Sequence, residues 1–248
     1  MFCSEQDIIK AAGWIANAKY PVAFTGAGIS VESGIPPFRG EGGIWSKHDP
    51  SILDIDYFCK YPTESWKAIA EIFYHYILDA SPNAAHYLLA RMEKKGILKT
   101  VITQNIDNMH QEAGSREVIE YHGNSKWLKC SHCGERYEVS KITLEPLPPR
   151  CSSDQEILKP DFVFFGEGIP TYAASRSVEE ISKTDLLIVI GTTGEVMPAG
   201  MLPSIAHSNG ARVIEINPGS SAFSDSITDL LLQGPAAQVS GLLDSYLF

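Results

Sequence analysis

Two short stretches of this 248-residue sequence combine residue types and spacings that suit chemistry. One is Thr103-Gln-Asn-Ile-Asp107, where two amides and a carboxylate follow an apolar run. Such side chains can bond ribose hydroxyls or a carboxamide, although Asn and Asp also form local turns. The other is Cys130-Ser-His-Cys133, whose spacing suits a metal ion. The sequence therefore predicts a polar binding site and a metal site, in different parts of the chain.

His122 is a third candidate, because it follows Asp107 by fifteen residues and precedes a glycine. A lone histidine is more often structural than catalytic, yet its imidazole titrates near neutral pH and suits proton transfer. The segment that it begins is expected to face the crevice to which Asp107 belongs. His122 is thus a candidate general base.

The elements that would position these residues are those of a parallel sheet. Four short apolar runs predict buried strands, and each ends in Gly, Asn, Thr or Pro: residues 20–26, 98–105, 184–193 and 210–218. Between them lie helical patterns such as residues 83–96, which end at a glycine. This alternation predicts an α/β fold with a doubly wound, Rossmann-like sheet, whose carboxyl strand ends converge on one crevice.

The first strand runs into a glycine-rich stretch, "VAFTGAGISVESGIPPFRG", over residues 22–40. Its glycines at 26, 28 and 34 resemble a dinucleotide-binding fingerprint loosely, because the spacing differs from G-x-G-x-x-G. The alternative is a strand-to-helix turn that needs glycines for packing.

Two stretches do not fit the sheet. Residues 35–80 are rich in aromatic side chains and predict a loop plus helices inserted after the first strand. Residues 123 to about 165 hold the cysteine pair and little periodicity, as expected of a small module that needs a metal to fold.

Composition narrows the class of partner. The formal net charge is -10, which gives no electrostatic basis for binding nucleic acid or an anionic membrane and favours a lysine-bearing protein or peptide. No signal peptide and no apolar run of membrane-spanning length is visible. Five cysteines, an odd number, favour metal ligation in a reducing compartment over disulfides. We therefore expect a cytoplasmic protein.

Taken together, the motifs resemble one family. The segments "GAGIS", "SGIPPFRG", "TQNID", "HG", Cys-x-x-Cys, "KPDFVFFGE", "GTT" and "INP" occur here in the order seen in the sirtuins, the NAD-dependent protein-lysine deacylases. The similarity runs from about Lys19 to Gln238, nearly the whole chain.

The resemblance implies that NAD binds between a Rossmann-like domain and a smaller domain made of a helical module and a zinc-ribbon-like module. The large domain would comprise residues 1–34, 81–121 and 170–248, the helical module 35–80 and the zinc module 122–169. The enzyme, expected to be a monomer, would transfer the acyl group of an acyl-lysine protein to ADP-ribose. Its products would be nicotinamide, free lysine and O-acyl-ADP-ribose.

The resemblance also assigns roles to residues, with His122 as general base and Asn105 as a second catalytic residue. The pyrophosphate would be held by Gly26, Ala27, Gly28 and Ile29. The nicotinamide and its ribose would lie against Phe38, Arg39, Gln104, Asn105, Ile106 and Asp107. The adenosine half would be held by Gly191, Thr192, Thr193, Asn217, Pro218 and Ala236.

The substrate would lie as an extended strand between residues 164–168 and 193–198, with its acyl-lysine running past Val163 and His122. The residues expected to contact it are Val163, Phe164, Gly166, Glu167, Gly194, Glu195 and Val196. The alternative for "DFVFFGE" is an ordinary buried strand.

Choice of acyl group is expected to depend on residues 74 and 77. Family members that remove succinyl or malonyl groups carry a Tyr-x-x-Arg pair, and here Tyr74 matches the tyrosine while Ile77 replaces the arginine. Without that guanidinium a buried carboxylate has no bidentate partner, so we expect a preference for acetyl or longer aliphatic groups. The alternative is that Ile77 packs on a helix face away from substrate.

The metal motif departs from the family pattern. The second cysteine pair reads Cys151-Ser-Ser-Asp154, so an aspartate stands where a fourth thiolate is expected. Zinc accepts carboxylate oxygen, so structural zinc could be held by Cys130, Cys133, Cys151 and Asp154. The alternative is a decayed site that binds nothing.

Two other functions remain open on the same scaffold. An NAD glycohydrolase or ADP-ribosyltransferase would pass the ribose to water or another nucleophile, but hydrolysis alone does not need the base His122. A non-catalytic NAD-binding sensor would need neither His122 nor Asn105.

Overall fold

A six-stranded parallel sheet forms the centre of the larger domain in this computed structural model, which describes residues 2–39, 42–74 and 80–248. Its strands are β1 (Pro21–Thr25), β2 (Thr100–Thr103), β3 (Val118–Glu120), β7 (Leu186–Ile190), β8 (Arg212–Asn217) and β9 (Leu230–Gln233). They lie in the order β3-β2-β1-β7-β8-β9. The strand order reverses between β1 and β7, and crevices form at such positions in doubly wound sheets.

Helices cover both faces of this sheet, which explains why its strands are continuously apolar. Alternate side chains of β1 point to opposite faces, so Ala23 belongs to one core and Val22 to the other. The helices on the first face are α1 (Glu5–Asn17), α4 (Ala84–Lys94) and α8 (Ala236–Leu247), and those on the second are α6 (Thr171–Lys183) and α7 (Met201–Ser208).

The doubly wound fold and its four predicted strands are confirmed as β1, β2, β7 and β8. The sequence analysis missed β3 and β9. Strand β3 has three residues with an alternating burial pattern, and β9 has four, so neither gives an apolar run long enough to stand out. Both lie at sheet edges, where pairing with a neighbouring strand selects the conformation.

A smaller domain contains a second, antiparallel sheet, in the order β5-β4-β6. Its strands are β4 (Gly123–Cys130), β5 (Arg136–Glu138) and β6 (Leu158–Phe162). The sequence analysis offered a strand here only as the alternative for "DFVFFGE", which overlaps β6, and it missed β4 because the polar and charged residues of that strand hide its alternation. The smaller domain also contains the helices α2 (Ile55–Lys60) and α3 (Pro62–Ile69), and the large domain contains the short helix α5 (Met109–Glu112).

The helices and the sheet of the smaller domain share one hydrophobic core. The buried indole of Trp66 in α3 donates a hydrogen bond of 2.8 Å to the carbonyl of Leu158 in β6. Side chains from both parts belong to the same buried cluster, including Ile69, Leu128, Phe162 and Phe164. The two parts therefore pack as one unit.

Within the described residues, no helix has both the length and the apolar character needed to cross a membrane.

Replacing Gly191, which follows β7, should destabilise the protein markedly. Its φ is +64°, and an added Cβ would overlap the backbone of Gly28 and Ile29. We expect Gly191→Ala to lower the free energy of unfolding by about 2 kcal/mol or more, measured by urea denaturation. The matched control is Gly210→Ala, at φ +92° with nothing within 4 Å of the added Cβ. It should lose about 1 kcal/mol, and equal losses for both variants would contradict the overlap argument.

Candidate active site

The cleft begins where β1 and β7 lie side by side. The N–H of Gly26 donates to the carbonyl of Ile190 (3.0 Å), and the N–H of Gly28 donates to that of Gly191 (2.8 Å). A Cβ on Gly28 would lie 2.6 Å from the Cα of Gly191. These glycines therefore allow two backbone turns to touch at the carboxyl edge of the sheet.

A cleft of about 750 Å³ extends from these turns to the smaller domain. It brings together most of the residues that the sequence analysis selected. They are Gly26, Ala27, Gly28, Phe38, Arg39, Gln104, Asn105, Ile106, His122, Val163, Phe164, Gly166, Glu167, Gly191, Thr192, Thr193, Val196, Asn217, Pro218 and Ala236. Its size lies in the range of sites for small molecules and cofactors.

Several expected site residues do not line this cleft. Ile29 is fully buried in the core, and Gly194 packs against the Phe223 ring. Glu195 lies at the rim, where it pairs with Arg39 at 3.7 Å and keeps 60% of its side chain exposed. Tyr74 is buried and its ring stacks on Trp66, with centroids 6.2 Å apart. Ile77 lies outside the described residues.

Asp107 lies behind the cleft, beside a smaller cavity of about 30 Å³ that shares Asn105, Ile106 and Phe38 with it. Its carboxylate accepts hydrogen bonds from the Ser30 hydroxyl (2.7 Å) and from the backbone N–H of Met109 (3.0 Å). Burial raises the pKa of Asp107, while these donors and the Asn105 amide oppose that shift. Asp107 thus adjoins the small cavity, next to the cleft.

The amide of Asn105 joins this network to the first glycine turn. Its Nδ2 donates to the carbonyl of Gly26 (3.2 Å), to the Ser30 hydroxyl (3.2 Å) and to Asp107 (3.3 Å). Asn105 is only 7% exposed, so the orientation of its amide is fixed by these partners.

His122 follows β3 and begins the connection to β4. Its Nδ1 lies 3.0 Å from the carbonyl of Gln104, and because a carbonyl can only accept, Nδ1 carries the proton. The lone pair is then on Nε2. Burial lowers the pKa of His122, and the hydrogen bond to Gln104 opposes that shift. The imidazole is therefore held in the tautomer of a neutral proton acceptor.

Sequence reasoning missed two kinds of residue. Ser30, His86 and His110 belong to the buried polar network but lie on helical turns where their types give no signal. The apolar cleft wall includes Val31, Trp45, Leu53, Phe73, Phe162 and Ile169, beside Phe165 and Met197 from the two segments expected to flank the peptide. The aromatic richness of residues 35–80 was the one signal that could have found part of this wall.

The four predicted metal ligands converge in the smaller domain. One donor atom from each of Cys130, Cys133, Cys151 and Asp154 lies within 4.8 Å of the others. The Sγ atoms of Cys133 and Cys151 are 3.6 Å apart, and the Cys130 Sγ lies 3.4 Å from an Asp154 oxygen. Thiolates bound to one tetrahedral zinc would lie about 3.8 Å apart. The donor set therefore fits such an ion.

The sequence profile of the Sir2 family matches residues 26–198. NAD-dependent protein deacylase 2 of Pyrobaculum aerophilum is 42% identical over 93% of this chain and 92% of its own length. The NAD-dependent protein deacylase of Pyrococcus abyssi is 42% identical over 94% of each chain.

Solved structures with a similar fold come from the same family. A complex of a Sir2 homologue with NAD has a TM-score of 0.90 at 39% identity and covers 96% of this chain and 93% of that one. A Sir2 variant with a deacetylated p53 peptide and 3'-O-acetyl ADP ribose has a TM-score of 0.91 at 36% identity, covering 95% and 96%. These matches confirm the resemblance to the sirtuins. The chain belongs to the Sir2 family.

Proposed function

We propose that this protein uses NAD to remove acyl groups from protein lysines, giving nicotinamide, the free lysine and O-acyl-ADP-ribose. The observation that carries the proposal is His122, a partly buried imidazole held as a proton acceptor inside a cleft built on the glycine turns of β1 and β7. The deacylase relatives and the related peptide and acetyl ADP ribose complexes support this reaction.

NAD would lie in this cleft, between the Rossmann-like domain and the smaller domain. The Rossmann-like domain would comprise residues 1–34, 81–121 and 170–248, and the smaller domain would comprise the modules 35–80 and 122–169. The pyrophosphate would lie against Gly26, Ala27 and Gly28, and the adenosine half against Gly191, Thr192, Thr193, Asn217, Pro218 and Ala236. The nicotinamide riboside half would lie against Phe38, Arg39, Gln104, Asn105 and Ile106, with Asp107 behind. Bound there, NAD would supply a glycosidic bond to a good leaving group, nicotinamide.

Aromatic side chains line the nicotinamide end of the cleft. The ring of Phe38 packs against Trp45 and Phe73, with centroids 5.5 and 6.2 Å away. All three rings line the cleft. Exclusion of water would favour attack by the weakly nucleophilic acyl oxygen over hydrolysis.

His122 supplies the proton acceptor that acyl transfer needs. With its proton fixed on Nδ1 by the Gln104 carbonyl, Nε2 is free to take a proton from a ribose hydroxyl. Simple hydrolysis of the glycosidic bond would not need such a base, which favours deacylation over a glycohydrolase.

The peptide would lie between Gly166 and Val196, which both line the cleft. In the described residues, Arg39 is the one lysine or arginine side chain that lines it, and Arg39 pairs with Glu195. A carboxylate on the acyl group would therefore lack a dedicated cation, which supports a preference for acetyl or apolar acyl groups. Tyr74 lies outside the cleft wall and contributes nothing to this argument.

The decisive test is mass spectrometry of the products formed from NAD and a panel of acyl-lysine peptides. We expect O-acyl-ADP-ribose and nicotinamide in equal amounts, with acetyl and butyryl peptides preferred over succinyl. Free ADP-ribose without peptide dependence would indicate a glycohydrolase. NAD binding without nicotinamide release from any peptide would indicate a sensor.

The pH profile of kcat/KM should report the His122 base. Because burial lowers the pKa of this imidazole, the neutral form persists below pH 6.5, and activity should fall only as the pH drops through that lowered pKa.

His122→Ala should lower kcat by about 10²- to 10⁴-fold while leaving NAD affinity, measured by calorimetry, nearly unchanged. A variant that kept a tenth of the wild-type turnover would refute the role.

Adding the missing fourth thiolate should strengthen zinc binding at the metal site. We propose that zinc is held by Cys130, Cys133, Cys151 and Asp154 as a structural ion, and we expect Asp154→Cys to retain zinc longer against a chelator and to raise the melting temperature. Asp56→Cys, a thiol added at an exposed position in α2, is the control and should change neither. Wild-type protein without zinc, and no gain in Asp154→Cys, would indicate a decayed site.

A further inference from the structure

A largely buried lysine lies behind the cleft wall that faces the proposed peptide. Lys159, in β6, has 16% of its side chain exposed and is not among the residues that line the cleft. Lysine is rarely buried unless it is paired. Burial lowers the pKa of Lys159, and the neighbouring carboxylate of Glu167 opposes that shift. The charged form of the Lys159 side chain is therefore stabilised by the groups that surround it.

Three acceptors surround this ammonium group, one for each of its N–H bonds. The Nζ of Lys159 lies 2.9 Å from a carboxylate oxygen of Glu167, 2.7 Å from the carbonyl of Phe162 and 3.0 Å from that of Pro160. It also lies over the Phe164 ring, 4.1 Å from the centroid. One side chain thus joins the end of β6 to the turn that follows it.

That turn forms the peptide-facing wall. The Glu167 oxygen that pairs with Lys159 also accepts the N–H of Phe164 (2.8 Å), and the N–H of Glu167 donates to the Phe164 carbonyl (3.0 Å). One residue earlier, the N–H of Val163 donates to the carbonyl of His122 (2.8 Å). The shape of residues 163–167 and the backbone of His122 are therefore linked.

We propose that Lys159 is a positioning residue for the substrate peptide, an inference that rests on the proposed deacylase function. Its ammonium group fixes the carboxylate of Glu167, which closes the turn and holds the backbone of residues 163–167 in the shape that an extended peptide contacts. Lys159 itself touches neither peptide nor cofactor.

The test compares Lys159→Met with Lys126→Met. Methionine keeps the length of the stem and removes the donors, and Lys126 lies on the adjacent strand β4, half-exposed, with its Nζ 3.6 Å from Glu138. We expect Lys159→Met to raise the KM for an acetyl-lysine peptide about tenfold, with the KM for NAD changed less than about twofold. Lys159→Arg should restore part of the loss, and Lys126→Met should match the wild type.

Hydrogen exchange gives a readout that needs no activity. In Lys159→Met the amides of Phe164 and Glu167 should exchange faster, while those of β7 and β8 should not. Equal rises in both KM values, or unchanged exchange at these two amides, would overturn the positioning role. If wild-type protein deacylates no peptide, the proposed function fails, and the exchange result still decides whether Lys159 holds the turn.

Discussion

The contact between the turn after β1 and the turn after β7 is the constraint on which the site depends. The hydrogen bonds from Gly26 to Ile190 and from Gly28 to Gly191 bring two backbones together without intervening side chains. Parallel strands present their carboxyl ends at one edge, so this contact places the cleft at that edge.

The other functional groups are positioned relative to this edge by short hydrogen-bonded steps. The backbone N–H of Gln104 donates to the Thr25 carbonyl at the end of β1, and its side chain donates to the Thr192 hydroxyl after β7. The carbonyl of the same residue fixes the tautomer of His122. Gln104 therefore connects the ends of β1 and β7 to the proposed base. The sequence analysis identified it only as a residue of the nicotinamide pocket.

The sequence was sufficient for the four central strands of the large sheet and for most of the cleft, because both depend on local patterns. Apolar runs identify buried strands, and strand-end polar residues such as Asn105 must lie at the carboxyl edge. What it could not predict depends on distant pairings. Ser30 and Asp107 are far apart in sequence, and only folding shows that they bond and place the carboxylate behind the cleft. In the same way, Ile29 belongs to the segment expected to hold the pyrophosphate, but its side chain is buried in the core.

Because the metal ligands share a hydrophobic core with one wall of the cleft, a bound metal ion would add to the stability of that wall. Cys130 and Cys151 are fully buried in the same cluster as Phe162 and Phe164, which line the cleft. An ion that binds the folded ligand set but not the unfolded chain adds stability by mass action, in proportion to the logarithm of its free concentration. Zinc held by these ligands would thereby link the stability of this cleft wall to the zinc level of the surroundings, through packing alone.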